Sequence, residues 1–226
     1  MAERTLNHFA FFTFDPSYWS LSPDERAALH SQWLAGLREA APRVDIYQVY
    51  PGRADTDVMV WSALPADEGC DAAAFFGRFA AATNPHRHMV RPTQTLWGFT
   101  RPSIYSKGRS PQEIDPFALE RKPYLIVYPF VKTSEWYAMS RDTRQGMMNQ
   151  HIRIGHEYSE IKQLLLYSFG LQDQEFVVVY ETDDLPQFSA LVNDLRSTEG
   201  RRFTERDTPT YTAVYHPAEE TLALWR

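Results

Sequence analysis

Hydrophobic and polar positions along the chain predict the same series of elements in each half. Apolar residues at every second position indicate strands, and apolar residues spaced three and four apart indicate helices. In the first half the predicted strands are 8–15, 43–52, 57–65 and 93–100, and the predicted helices are 22–41 and 72–82. In the second half the predicted strands are 124–133, 161–171, 175–184 and 209–217, and the predicted helices are 140–158 and 185–200. The order is β-α-β-β-α-β in both halves.

This repeated order predicts an α+β protein built from tandem ferredoxin-like repeats. Each repeat forms an antiparallel sheet with both helices on one face, and two repeats can combine into a larger sheet or a barrel of the dimeric α/β type. The N-terminal unit is predicted at 1–100 and the C-terminal unit at 124–226. Because the other face of the sheet must also be covered, we expect a ligand or a homo-oligomer.

Residues 101–123 join the two predicted units. The segment is rich in proline, serine and charged residues, and it has little hydrophobic periodicity. It is long for a connection inside a compact fold, which indicates either a lid or a strap.

Composition and charge limit the partners and the location of the protein. The chain of 226 residues carries a net charge of −6 and has no run of lysine or arginine, which argues against nucleic acid as a partner. No apolar stretch is long enough to span a bilayer and the first residues lack a signal-peptide pattern, so we expect a cytoplasmic protein without membrane insertion. The single cysteine, Cys70, cannot form an intrachain disulfide and is assigned a structural role near a helix start.

Two histidines of the predicted helix at 140–158 differ in their surroundings. His151 lies in the middle of the apolar side, whereas His156 lies on the polar side and is assigned no role. Gly155, one turn beyond His151, leaves the helix surface bare at a cost of about 1 kcal/mol relative to alanine. A flat macrocycle needs such a clearing, and haem iron needs one axial histidine because the porphyrin supplies the other four nitrogens. A core histidine bonded to a backbone carbonyl remains the alternative.

A second histidine pair does not predict a metal site. His86 and His88 follow Pro85, and no third ligand accompanies them in the sequence. We therefore interpret this pair as part of a loop or a strand end.

Four segments of the second half resemble the chlorite dismutase superfamily of haem proteins. They are YLIVYPFVKTSEWY (124–137), NQHIRIGHEY (149–158), YSFGLQDQEFVVVYETDD (167–184) and LRSTEGRRFTERDTPTYT (195–212), with a looser likeness at GRADTDVMVWS (52–62). The resemblance implies tandem ferredoxin-like units, usually assembled as pentamers, with haem iron held only in the C-terminal unit by an axial histidine. The family's axial position follows the lysine of the YPFVK motif by nineteen residues, which is His151 here.

Two positions distinguish the branches of this superfamily. By resemblance to the family, chlorite dismutases have a distal arginine seven residues before the glycine of the GLxD turn. This chain has Gln163 at that position. Some coproheme decarboxylases have glutamine there, and others use a distal histidine from the connecting segment, which has no histidine here. The decarboxylases also have a redox-active tyrosine before the proline of the YPFVK motif, and this chain has Tyr128. For that tyrosine, an ordinary strand aromatic is the alternative.

The resemblance implies further site residues. Coproheme has four carboxylates that need cationic partners, for which Lys132 and Arg196 are the candidates, although Arg196 can equally be a solvated cation at a helix end. Trp136 matches a tryptophan beside the haem edge. An acidic residue usually accepts a hydrogen bond from the axial histidine, and Glu199 lies near the expected place, although the count from the GL turn ends at Gly200.

The sequence therefore predicts a hydrogen peroxide-dependent decarboxylase that converts coproheme, iron coproporphyrin III, to haem b in haem biosynthesis. The resemblance implies that a radical on Tyr128 takes hydrogen from a propionate, with a homo-oligomer of pentameric size as the expected assembly. The alternatives are a chlorite dismutase-like enzyme or haem peroxidase, and a non-catalytic haem carrier or sensor. A ferredoxin-like module without cofactor is the last alternative.

Overall fold

The computed structural model describes residues 4–67, 71–102, 105 and 110–226, so the predicted role of Cys70 lies outside the described residues. The strands are β1 (Thr5–Phe14), β2 (Arg43–Gln48), β3 (Val58–Pro65), β4 (Val90–Thr100), β5 (Tyr124–Lys132), β6 (Lys162–Tyr167), β7 (Phe176–Thr182), β8 (Thr204–Arg206) and β9 (Tyr211–Tyr215). The α-helices are α1 (Pro16–Trp19), α2 (Pro23–Ala40), α3 (Ala72–Thr83), α4 (Ser134–Ala138), α5 (Arg141–Glu157), α6 (Leu185–Arg196) and α7 (Ala218–Ala223). Two 3-10 turns lie at Asn84–His86 and Glu199–Phe203.

Eight of these strands close into one antiparallel barrel. The ring runs β1-β3-β2-β9-β5-β7-β6-β4 and returns to β1, while β8 pairs with β5 outside the ring. The pairings of β2 with β9 and of β4 with β6 join the two halves of the chain. The predicted α+β fold with ferredoxin-like order is confirmed.

The interior of the barrel is filled by side chains from both halves. The buried cluster includes Phe9, Trp61, Leu125, Leu166 and Val179. Helices α2, α3 and α7 cover the outer surface of the first half, and α5 and α6 lie over that of the second half. The sheet face that we expected to need a partner is therefore covered within the chain, and that reason for oligomerisation is wrong. The pentamer itself stays a prediction.

Several predicted elements are shorter in the structure than in the sequence pattern, and two of them end at well-defined turns. The strand predicted at 161–171 ends at Tyr167, because Gly170 adopts a positive φ of 70° and the Leu171 amide turns back to the Ser168 carbonyl. The helix predicted at 185–200 ends at Arg196, because the hydroxyls of Ser197 and Thr198 donate to carbonyls of the last turn. None of the described helices combines the length and hydrophobicity needed to cross a bilayer.

Residues 110–123 of the connecting segment form a strap that packs into the barrel core. Ile114 is part of the barrel core. The side chain of Arg121 is only 1% exposed, donates to the Asp45 carboxylate at 3.0 Å and lies over the Trp61 ring at 4.3 Å. Asp45 belongs to the first half of the chain, and Arg121 also lies 3.8 Å from the carboxylate of Glu181 in the second half. The strap therefore ties the two halves together.

Candidate functional site

An apolar surface lies on the outer face of three strands in the second half. The register places Leu165 of β6 opposite Val178 of β7, and Val178 opposite Tyr128 of β5. The next row is aromatic and consists of Tyr167, Phe176 and Phe130. Leu165 is 42% exposed, which is high for a leucine in the middle of a strand. This surface is a floor on which a flat apolar group could lie.

Helix α5 forms the wall that faces this floor. It begins at Arg141 because the Ser140 hydroxyl accepts from the Thr143 amide at 3.2 Å. Among the described residues, α5 joins the core beneath it through Ile154 and Tyr158 at its carboxyl end. No residue of α5 is buried, although one side of the helix is apolar. The apolar side of the helix and the floor therefore border a solvent-exposed region, which we call the slot.

His151 lies on the side of α5 that the sequence indicated. Burial lowers the pKa of His151 to about 4, and the positive charge of nearby Lys132 adds to the decrease. The imidazole is therefore neutral at physiological pH and has a nitrogen lone pair free to bind a metal. His156 is exposed, as predicted from its position on the polar side. A Cβ added at Gly155 would meet no atom within 4 Å, so the helix surface beside His151 is open.

Lys132 lies close enough to His151 for its charge to lower the pKa of the imidazole. Its ammonium donates to the carbonyl of Gly200 at 2.9 Å and lies 4.3 Å from the centre of the buried Trp136 ring. Burial lowers the pKa of Lys132 to about 8, and the charge of Arg201 adds to the decrease. The effect of Lys132 seen in the structure is to lower the pKa of His151. Its role as a carboxylate partner stays a prediction.

Tyr128 forms a second polar group on the floor. Its ring stacks on that of Tyr180 with centroids 6.3 Å apart and an interplanar angle of 27°. Burial raises the pKa of Tyr128 well above its usual value, and the Tyr180 hydroxyl adds to the increase. Asp207 and Arg196 are also near enough to shift the pKa of Tyr128, in opposite directions. The phenol is therefore protonated at neutral pH and lies beside a charged pair.

Arg196 is not a free cation. It donates to the Asp207 carboxylate at 3.1 Å, and Arg201 donates to the same oxygen at 2.6 Å. Arg196 remains half exposed, so it can also reach a carboxylate in the slot. The charge of Arg196 is thus near enough to Tyr128 to lower its pKa, a relation that the sequence pattern did not indicate.

Gln163 lies on β6, one register row from Leu165 and directly opposite Tyr180. It is exposed, and the strap holds its backbone along one edge of β6, since its amide donates to the Gln112 carbonyl and its carbonyl accepts from the Ile114 amide. Gln163 therefore faces the slot from the floor, while His151 faces it from the wall.

Glu199 is near α5 through its backbone. Its amide donates to the side chain of Gln150 at 3.3 Å, whereas its carboxylate is 63% exposed and accepts from Arg202 at 3.4 Å. The described contacts of His151 do not include this carboxylate. A hydrogen bond from His151 to Glu199 therefore stays a prediction.

Sequence reasoning missed three residues of the site. Tyr180 and Asp207 surround Tyr128, and Glu175 accepts from the backbone amide of Lys132 at 2.8 Å and from the Tyr137 hydroxyl at 2.5 Å. The alternation of β7 places Tyr180 on the outer face, which was a usable signal. The pairing of β7 with β5, which brings Tyr180 to Tyr128, leaves no mark in either strand alone.

These features fit a flat iron macrocycle. His151 would supply one neutral nitrogen to the iron, the floor would supply an apolar surface, and the open side of Gly155 would leave room for a ring edge. Arg196 and Lys132 are the cations nearest to the places where carboxylate substituents could lie.

We expect Gly155→Ala to weaken haem binding while stabilising the ligand-free protein by up to about 1 kcal/mol, because alanine favours the helix and its methyl group enters the clearing. Urea unfolding measures the stability and an absorption titration with ferric haem measures the affinity. Gly146→Ala is the matched control, since Gly146 lies in the same helix, is exposed and also has nothing within 4 Å of an added Cβ. Equal haem affinities of the two variants would contradict the assignment of the clearing.

Comparison with known proteins gives one consistent result. A sequence model of the family described as chlorite dismutase matches residues 22–216. A coproheme decarboxylase from Mycolicibacterium smegmatis is 28% identical over 180 residues, which cover 79% of this chain and 75% of that protein. Two solved structures of chlorite dismutase from Candidatus Nitrospira defluvii share the fold at 22% identity. The arginine-to-lysine mutant has a TM-score of 0.86 and covers 100% of this chain and 96% of its own, and the imidazole complex has a TM-score of 0.84 and covers 98% and 94%.

Proposed function

The chain belongs to the chlorite dismutase family of haem enzymes, and we propose that it is a hydrogen peroxide-dependent coproheme decarboxylase that produces haem b. The observation that carries this proposal is Tyr128. It is a protonated, half-buried phenol on the floor of the slot, in the same register row as Leu165. A phenol in this position can be oxidised to a radical and can then take hydrogen from a carboxylate-bearing chain beside it.

The remaining residues take supporting roles in this proposal. The bound iron macrocycle supplies the reaction with peroxide and the oxidising power. His151 would hold the iron from α5, and the Trp136 ring lies 4.3 Å from the Lys132 ammonium. Arg196, held by Asp207, binds a propionate near Tyr128 and orients it. Gln163, exposed on the floor, would donate a hydrogen bond to peroxide without adding charge.

The proposal is tested by adding iron coproporphyrin III and hydrogen peroxide to the purified protein and measuring the masses of the porphyrin products. Stepwise loss of two of the four carboxyl groups of coproheme, ending at the mass of haem b, is the expected result. A protein that binds coproheme but returns it unchanged would instead be a carrier or sensor. A protein that leaves the porphyrin intact but uses peroxide to oxidise an added phenolic donor would support the peroxidase alternative.

We expect little or no oxygen release from chlorite. Gln163 has neither the positive charge nor the two-pronged donor geometry that an arginine offers to an oxyanion. An oxygen electrode measures the reaction on haem-loaded protein, with Gln163→Arg as the matched variant that restores the charge. Rapid oxygen release by the unmodified protein would place it with the chlorite dismutases and would reject the proposed substrate.

A further inference from the structure

One glutamine of the strap contacts both sides of the slot. Gln112 is 8% exposed and lies two residues before Ile114, which the barrel core holds in place. Because Arg121 anchors the other end of this stretch, Gln112 has a fixed position relative to the barrel. Its contacts are therefore made from a rigid support.

The side-chain amide of Gln112 binds the carboxyl end of α5. Its nitrogen donates to the carbonyls of Gly155 at 3.2 Å, Tyr158 at 3.0 Å and Ile161 at 3.1 Å. An amide group has two hydrogens, so one of them is shared between two carbonyls. The last carbonyls of a helix lack partners within the helix, and α5 does not end in a glycine cap. Gln112 thus supplies the cap from another part of the chain.

The backbone of the same residue binds the floor of the slot. The Gln112 carbonyl accepts from the amide of Gln163 at 2.8 Å, and the amide of Ile114 donates to the Gln163 carbonyl at 3.0 Å. These two hydrogen bonds form one isolated parallel bridge between the strap and β6, centred on Glu113 and Gln163. One residue is therefore bonded to the helix that bears His151 and to the strand position that faces it.

We propose that Gln112 is a positioning residue that sets the distance between α5 and β6, and with it the separation of His151 from Gln163 across the slot. This inference rests on the proposed function, because the separation matters for a macrocycle bound between the two residues. Loss of the three side-chain hydrogen bonds would free the carboxyl end of α5 while leaving His151 and Gln163 chemically intact. Porphyrin binding and iron coordination would then change without any change in the residues that contact the porphyrin.

The experiment uses Gln112→Met, which keeps the length of the side chain and removes its donors. The protein is titrated with ferric haem to measure affinity, and after reduction the resonance Raman spectrum of the ferrous protein reports the iron–histidine stretch. Hydrogen exchange of the ligand-free protein reports the amides of α5. We expect a dissociation constant raised roughly tenfold, as is usual when the support of a metal ligand is removed. We also expect a weakened iron–histidine bond and faster exchange near Tyr158.

Gln172→Met is the matched control. Gln172 is also multiply bonded, since its side chain accepts from the Trp97 amide at 2.9 Å and donates to the Thr95 carbonyl at 3.2 Å, but these contacts hold β4. This variant should lose thermal stability and keep the parental haem affinity and spectra. If Gln112→Met behaves in the same way, Gln112 only stabilises the fold and the proposal is rejected.

Two further outcomes are distinguishable. If the unmodified protein binds no haem, the proposed function fails, and unchanged exchange of α5 in Gln112→Met would separately reject the positioning role. If Gln112→Met does not fold, Gln112→Asn keeps the amide but places it one methylene short of the carbonyls. Parental haem affinity and spectra in Gln112→Asn would then overturn the proposal, and a weakened iron–histidine bond would support it.

Discussion

Replacing His151 with alanine is expected to abolish the axial coordination of iron in added ferric haem or coproheme. Among the described residues of the second half, His151 is the histidine on the apolar side of α5, and its imidazole is neutral because burial lowers its pKa to about 4. The floor that faces it contributes no neutral nitrogen ligand, and burial raises the pKa of the Tyr128 phenol well above its usual value, so the phenolate that could bind iron is not formed at neutral pH. Absorption and electron paramagnetic resonance spectra of the ferric protein measure the loss of the five-coordinate signal.

His156→Ala is the control for this prediction. His156 lies on the same helix but is exposed, so its removal should leave the iron spectrum unchanged. Addition of free imidazole should restore an axial ligand to His151→Ala, since alanine leaves space where the ring was. Loss of the iron signal in the His156 variant, with retention in the His151 variant, would show that the axial ligand has been assigned to the wrong residue.

The position of His151 was predictable because helical periodicity is a local property. The apolar side of α5 can be read from spacings of three and four residues, and Gly155 marks the clearing beside His151. The outer face of β5 was equally predictable from strand alternation, which separates Tyr128 from the core residues Leu125 and Val127. These inferences needed no knowledge of which elements become neighbours.

Closure of the barrel was left open by the sequence because it depends on contacts between distant segments. The order of elements allowed a larger sheet or a barrel, and the choice is made by the pairings of β2 with β9 and of β4 with β6. These pairings are short, and their strands have the same alternation as any half-buried strand. The same limit applies to β8, whose three residues are too few to show a period.

The sequence pattern also does not predict which partner a long side chain contacts. Alternation places Lys132 on the outer face, but the choice between a bound carboxylate and the Gly200 carbonyl depends on the turn after α6. The positions of Glu199 and Gly200 also depend on this turn. A shift of one residue there would change which of the two residues lies beside Gln150 of α5 and which accepts from Lys132. Short irregular turns are fixed by local hydrogen bonds, such as those of Ser197 and Thr198, which hydrophobic periodicity does not report.

Removal of the Tyr128 hydroxyl is expected to affect the proposed reaction much more than the packing of the protein. Its ring packs with Ile126 and Tyr180 in the cluster beneath α5 and α6, and phenylalanine would fill the same space. The Tyr180 hydroxyl would lose a partner, at a cost of about 1 kcal/mol, which the folded protein can tolerate. A phenol can be oxidised to a phenoxyl radical by giving up an electron and its proton, whereas a phenyl ring is far harder to oxidise.

Tyr128→Phe is therefore expected to bind coproheme nearly as well as the unmodified protein and to fail in its decarboxylation by peroxide. An absorption titration measures binding, and mass analysis of the porphyrin after peroxide addition measures turnover. Tyr124→Phe is the matched control, because Tyr124 lies on the same face of β5 and packs in the same cluster but is four residues from Tyr128. Conversion to haem b at close to the parental rate in Tyr128→Phe, with loss of conversion in a Tyr124 or Tyr167 variant, would place the radical on another tyrosine and reject the role assigned to the YPFVK motif.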